Sequence, residues 1–196
     1  MNLAVDLDST LADIHGFILP FVSAELGEII RLGQITDWNW LGDFVGIERA
    51  GEIYTRFWEY VKSPDDIKPT EPHLSETVGL IRQRVKSVDI VTAHPESCRP
   101  NITVWLHYYG IPFDKLVLSG STSKGELAYD AYVDDNPLLP LEVPSGRTVF
   151  LYDQLWNRMI RPTDYPFIRV IRVYSIMDVL AVLRSENSEY SRWKQR

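Results

Sequence analysis

The sequence predicts an α/β fold: a doubly wound, Rossmann-like parallel sheet with a small helical cap inserted after the first strand. Three features carry this. Short apolar runs rich in β-branched residues end in polar or turn-forming clusters, as buried parallel strands do when helices cover both faces of a sheet. Helix-like stretches separate these runs. One long segment near the N-terminus interrupts the alternation and contains no convincing strand.

Taken in order, residues 3–7 form the first apolar run, followed by 88–92, 116–119, 131–133 and 148–152. Between them, residues 74–85 follow Pro72 and place Val78, Ile81 and Val85 on one helical face, while 100–109 end at Gly110, a good C-terminal stop. The last helix, 176–183, opens on Ser175 with Asp178 three residues on, a capping-box-like entry. The polar tail 185–196 is expected to fray, with Trp193 as its one anchor. In the interrupting segment, residues 16–31 and 47–61 read as helices. Pro64, Pro69 and Pro72 mark the return to the core. The expected division is therefore a core of residues 1–12 and 73–196 with a cap of residues 13–72.

Composition narrows the function. A chain of 196 residues with 45% hydrophobic and 24% charged side chains can bury one substantial core. Its formal charge of -7 and lack of a basic run argue against a nucleic-acid polymer as partner. Cys98 is the only cysteine, so neither an internal disulfide nor a cysteine zinc site is available. The N-terminal residues carry acids where a secretory signal would be basic, and no apolar run approaches the ~18 residues that span a bilayer. A soluble, unprocessed, cytoplasmic protein without membrane partners is expected. A homodimer stays open.

In such a sheet, ligands bind beyond the C-terminal ends of the strands, so those ends hold the candidate chemistry. The first strand runs into Asp6-Leu7-Asp8-Ser9-Thr10. Two carboxylates so close repel each other and call for a cation or a shared proton, although a polar strand end with turn formers accounts for them equally well. The second long run ends in the Thr92 hydroxyl and Ala93. Lys124 follows in Ser-Thr-Ser-Lys-Gly, and a further strand ends in Asp134-Asp135-Asn136-Pro137. Each alone reads as an ordinary strand threonine, surface lysine or turn. Together they place a metal site, a hydroxyl and an ammonium in one crevice.

This order, Asp-x-Asp-x-Thr, strand-terminal Thr, Lys, then Asp-Asp, resembles the four motifs of the haloacid dehalogenase (HAD) superfamily of phosphatases. Within it, the chain is similar to the 5'(3')-deoxyribonucleotidase group through Asp6–Asp13 (Asp-Leu-Asp-Ser-Thr-Leu-Ala-Asp), Ile90–Ala93, the short step from Lys124 to Asp134-Asp135, and the stretch from Tyr152 to Arg158. The resemblance implies that Asp6 is a nucleophile forming an aspartyl-phosphate and Asp8 a general acid and base. It implies Mg2+ held by Asp6, the Asp8 main-chain carbonyl and Asp134, with Asp135 behind them, and phosphate held by Thr92, Ala93 and Lys124. The substrate would be a small phosphate ester, a nucleoside monophosphate above all.

Two positions depart from the pattern. Ser9 stands where many relatives have glycine, which Ser can replace if its φ stays negative. Ala93 lacks the second hydroxyl, leaving only its amide for phosphate. The insertion is rich in aromatics, most of them expected to pack. Phe17, Trp38 and Trp40 are the candidates for contact with a base, while Ile14 occupies a position that is aromatic in the nucleotidase group. His94 could reach a substrate, but a surface or helix-start histidine is the plainer reading. Alternatives to a nucleotidase are a phosphatase for another small metabolite, such as phosphoglycolate or a sugar phosphate, and a phospho-accepting receiver-like module without turnover.

Overall fold

The computed structural model describes the backbone of residues 1–193 and the side chains other than those of Glu25 and residues 186–193. Trp193 as a side-chain anchor therefore lies outside the described residues.

A six-stranded, all-parallel sheet in the order β5-β4-β1-β6-β7-β8 forms the centre. Its strands are β1 (Asn2–Val5), β4 (Ser87–Thr92), β5 (Lys115–Leu118), β6 (Ala131–Asp134), β7 (Thr148–Tyr152) and β8 (Arg169–Val173). The central strand β1 pairs with β4 on one side and β6 on the other, Val5 lying opposite both Ile90 and Val133. Residues 88–92 and 131–134 are buried throughout, as strands covered on both faces must be. Chain order runs outward from β1 in both directions, so β1, β4 and β6 enclose the switch-point crevice at their C-terminal ends. The edge strand β8 was not foreseen; in Arg-Val-Ile-Arg-Val two arginines break the continuous apolar run that marks the others, and only Val170 and Val173 are buried.

Helices α4 (Leu74–Arg82), α5 (Arg99–Tyr108), α6 (Leu139–Glu142) and α7 (Ile176–Trp193) complete this layer structure. In α4 the buried Leu74, Thr77, Val78 and Ile81 form one stripe. Helix α7 continues to Trp193, past the expected end at 183 and into the stretch expected to fray. Its entry is the expected reciprocal cap: the amides of Tyr174 and Ser175 donate to Asp178 at 2.8 and 3.0 Å, and the Asp178 amide donates to Ser175 Oγ at 3.2 Å.

Residues 13–72 hold α1 (His15–Leu26), α2 (Trp40–Val45) and α3 (Ile47–Tyr60). Helix α1 stops short of the expected Arg31 because Gly27 adopts the left-handed conformation (φ 70°) and returns its amide to Ser23 O. The segment also has strand character that was not expected. Two-residue strands β2 (Ala12–Asp13) and β3 (Lys68–Pro69) pair antiparallel where the chain leaves and re-enters the sheet layer. Thr70 ties the same point, its amide and hydroxyl donating to Leu11 O and Thr10 O at 2.9 and 2.8 Å.

The helical segment shares one continuous core with the sheet, running from Ile14 and Ile18 through Phe57 and Trp58 to Trp105 and Ile90. Polar ties reinforce it: Asn101 Nδ2 donates to Trp58 O at 2.7 Å, and the indole of the fully buried Trp105 donates to Ile67 O at 2.8 Å. Among the described residues, no helix is long and apolar enough to cross a membrane.

Candidate active site

Tight hydrogen bonding shapes the turn after β1. The amides of Leu11 and Ala12 both donate to Leu7 O, and the Ser9 amide donates to Ala12 O at 2.8 Å. This geometry puts Ser9 at φ 59°, contrary to the negative φ expected of it. The non-glycine residue is held in a left-handed conformation, at a cost of order 1 kcal/mol, by a turn whose hydrogen bonds over-determine it. Gln154 Nε2 reinforces the turn by donating to Ser9 O at 2.6 Å.

Asp6 and Asp134, from the ends of adjacent strands, face the ammonium of Lys124, which donates to Asp6 Oδ1 at 2.5 Å and Asp134 Oδ2 at 2.9 Å. Asp135 joins them: an oxygen from each of Asp6, Asp134 and Asp135 lies within 4.8 Å of the others, and all three residues are buried. Asp135, expected behind the site, thus belongs to the same acidic cluster. Its Oδ2 accepts from the Trp156 indole at 3.0 Å, and Asn157 Nδ2 donates to its main-chain oxygen at 2.9 Å. Arg172 Nη1 donates in turn to Asn157 Oδ1 at 2.8 Å, so the unforeseen edge strand β8 buttresses the acidic loop.

The electrostatics follow from burying three carboxylates beside one ammonium. Desolvation raises Asp6 to about 7, Lys124 opposing and Asp134 adding to the shift. Asp135 is raised well above the usual carboxylate range, again by burial first and then by Asp6 and Asp134. Burial disfavours the Lys124 ammonium, but Asp134 and Asp6 outweigh it and hold the lysine above its ordinary range. Such a cluster carries excess negative charge that a hard, oxygen-seeking divalent cation would relieve. Its all-carboxylate donor set suits magnesium.

The Asp8 side chain lines the same crevice but is engaged by side chains outside the acidic cluster. Its Oδ1 accepts from the indole of Trp58, on α3, at 2.9 Å, and its Oδ2 lies 2.5 Å from His94 Nε2. The other imidazole nitrogen, Nδ1, sits 3.1 Å from Thr55 O, also on α3. A carbonyl only accepts, so Nδ1 carries a proton. His94, expected at the surface or at a helix start, is buried just ahead of the turn Glu96–Cys98 that leads into α5. Burial disfavours its charged form, yet the Asp8 carboxylate drives its pKa up to about 10. Sequence reading missed Trp58 and His94 as partners of Asp8, because no spacing connects position 8 with positions 58 and 94.

Thr92, at the end of β4, and Ala93, exposed beyond it, face the same crevice as Asp6, Asp8 and Lys124. The crevice opens into a cavity of about 570 Å3 walled by His15, Trp38, Trp40, Tyr54 and Trp156. Phe17 lies elsewhere: it points to a separate groove beside Phe21 and Phe57, between α1 and α3, and is removed from the candidate contacts. Ile14 lines the main cavity, as does His15, whose ring centre lies 4.7 Å from that of Trp156 and 6.1 Å from that of Trp40.

Comparison with solved structures decides the architecture. A HAD phosphatase from Thermococcus onnurineus superposes with a TM-score of 0.51 at 17% identity, covering 93% of this chain and 97% of that one. The fold is that of the HAD phosphatases. A "predicted phosphoglycolate phosphatase" from Haemophilus somnus 129PT matches with a TM-score of 0.55 at 13% identity, over 92% of this chain and 96% of that chain. CbbY from Rhodobacter sphaeroides, solved with phosphate, matches with a TM-score of 0.50 at 15% identity, over 89% and 94% of the two chains. No family model matches the chain, and no curated protein does. In this HAD-like fold the conjunction of Asp6, Thr92, Lys124 and Asp134 falls at the C-terminal ends of β1, β4 and β6 and the loop before β6.

Proposed function

We propose that the protein is a magnesium-dependent phosphomonoesterase that works through a phosphorylated Asp6, with nucleoside monophosphates as its substrates and residues 13–72 acting as a cap over the crevice. The observation that carries this reading is Lys124 bridging Asp6 and Asp134 beside Asp135, with Thr92 and Asp8 facing the same hollow.

In the first half-reaction an Asp6 carboxylate oxygen attacks phosphorus, the ester P–O bond breaks, and the leaving oxygen takes a proton through Asp8, which His94 Nε2, 2.5 Å from Asp8 Oδ2, can resupply. In the second, Asp8 takes a proton from water, the water oxygen attacks the acyl-phosphate phosphorus, and orthophosphate leaves with Asp6 regenerated. Lys124, Thr92 and the Ala93 amide hold the phosphoryl oxygens and keep phosphorus in line with Asp6. Magnesium on Asp6, Asp134 and the Asp8 main-chain carbonyl, with Asp135 supporting, would supply the positive charge that lets an anionic nucleophile meet an anionic ester.

The cavity supports a leaving group larger than a two-carbon acid. Its volume falls in the range of sites for drug-sized ligands, and Trp38, Trp40 and Tyr54 offer the flat apolar surface a nucleobase would use. A second reading, phosphoglycolate or a sugar phosphate as substrate, is favoured by the description of the Haemophilus somnus protein.

The test is phosphate release from a panel of nucleotides, sugar phosphates and phosphoglycolate, with and without magnesium. We expect turnover that chelation abolishes and that Asp6→Asn lowers by at least ~10^3-fold, nucleoside monophosphates leading in kcat/KM. Phosphate release unchanged in Asp6→Asn would refute the mechanism. Sugar phosphates or phosphoglycolate leading the panel would refute the substrate.

A further inference from the structure

The cavity beyond the phosphoryl position is unequally charged. Lys124 is the only lysine or arginine lining it among the described residues, and its ammonium is already engaged by Asp6 and Asp134 at 2.5 and 2.9 Å. His94 offers no free charge either, since its two ring nitrogens face Asp8 and Thr55 O. His15 is buried against Trp156 and stays neutral at physiological pH, burial having pushed its pKa down to about 4. Apart from Lys124, His94, Asp8 and the acidic cluster, all already engaged, the charged side chain in the described wall is an acid, the exposed Asp43 on α2.

Resting on the phosphomonoesterase reading, we infer that this cavity selects by charge: it takes phosphate monoesters whose leaving group is uncharged and rejects those carrying a second anion, whether a carboxylate or another phosphate. A second anion would lose its hydration against indole and phenol rings and gain no counter-ion in return. It would also approach the Asp43 carboxylate, a like charge on the same wall. An uncharged polyol or nucleoside meets neither penalty. Asn39 and Tyr54 line the wall and can donate to or accept from hydroxyl and amide groups. On this account the nucleotides accepted are monophosphates with a single phosphoryl group, and phosphoglycolate is a poor substrate despite its small size.

Matched pairs that differ by one anion isolate the effect. With magnesium present, kcat/KM is measured for 2-hydroxyethyl phosphate against 2-phosphoglycolate, and for a nucleoside 5'-monophosphate against the nucleoside 3',5'-bisphosphate. The neutral member of each pair should lead by at least ~10-fold. Asp43→Lys, a change at an exposed helix position that the fold should tolerate, should narrow both ratios by about 10-fold through the anionic member's KM. Equal or faster hydrolysis of the anionic members overturns charge selection and leaves the phosphatase reading standing. Ratios unmoved by Asp43→Lys overturn the part assigned to Asp43. If no member of either pair is hydrolysed, the underlying reading falls and this inference with it.

Discussion

Asp8 is held by two side chains that the linear sequence does not associate with it. Trp58 and His94 each engage one oxygen of the carboxylate, and helix α3 supplies both the indole and the carbonyl that fixes the imidazole. If Asp8 delivers the proton to the leaving group, Trp58→Phe keeps the packing against Phe57 and Trp105 and removes one hydrogen bond to a charged acceptor. We expect kcat/KM to fall about 10-fold to 100-fold for alkyl phosphates, which need the proton, and only slightly for p-nitrophenyl phosphate, which does not. Equal losses on both esters would assign Trp58 a packing role only. His15 offers a test by pH. Its folded pKa of about 4 lies below the ordinary 6.5 because burial disfavours the imidazolium. The unfolded chain therefore takes up this proton first as pH falls, and the stability present above pH 6.5 is lost progressively toward pH 4. The difference in urea midpoint between wild type and His15→Gln should shrink over that window, by an amount equivalent to about 3 kcal/mol at most. A difference independent of pH would mean that His15 titrates normally.

At the scale of elements, the loop carrying Lys124 shows why a single glycine matters. A Cβ at Gly125 would lie 2.7 Å from the carbonyl carbon of Glu142, at the end of α6, and 2.8 Å from its oxygen. The main chain can relieve that contact only by shifting, and Lys124 is the adjacent residue. Gly125→Ala should cost about 1–3 kcal/mol in stability and at least ~10-fold in kcat, read by chemical denaturation and phosphate release. A variant as stable and active as wild type would show that the approach is easily relieved. The same scale explains what the sequence could and could not announce. Strands β1, β4, β6 and β7 were legible because burial on both faces demands mainly apolar runs, interrupted in β4 by Asp89. Strand β8 was not, since Arg169 and Arg172 interrupt its apolar run and Arg172 serves as a buttress for Asn157. The Asp6, Thr92, Lys124 and Asp134 constellation was legible because Asp6, Thr92 and Asp134 sit at strand ends, where topology converts order along the chain into proximity, and Lys124 lies on the short connection into β6. The Asp8 partners and the left-handed Ser9 were not, because both arise from how the helical segment and the β1 turn pack. Phe17 misled because an aromatic on α1 can face the crevice or the α3 groove, and composition does not distinguish the two faces.

Over the whole molecule, the helical segment and the sheet share a core and meet at the crevice lined by Asp6 and Asp8. Trp58 packs edge-on against Trp105, their ring centres 5.9 Å apart, while its indole reaches Asp8. A helical segment joined this closely to the sheet should not melt separately. Tryptophan fluorescence, which reports these rings, and far-ultraviolet circular dichroism, which reports all helices, should give one coincident unfolding transition. Two separated midpoints would show that residues 13–72 form an independent unit. The account as a whole depends on Asp6 taking the phosphoryl group. The most direct measurement is acid quenching during turnover of a nucleoside monophosphate, followed by peptide mass spectrometry. It should find one hydroxylamine-labile phosphoryl group on the peptide containing Asp6, and none in Asp6→Asn. Turnover with the phosphoryl group on another residue, or with no covalent phosphoryl group at any quench time, would contradict it.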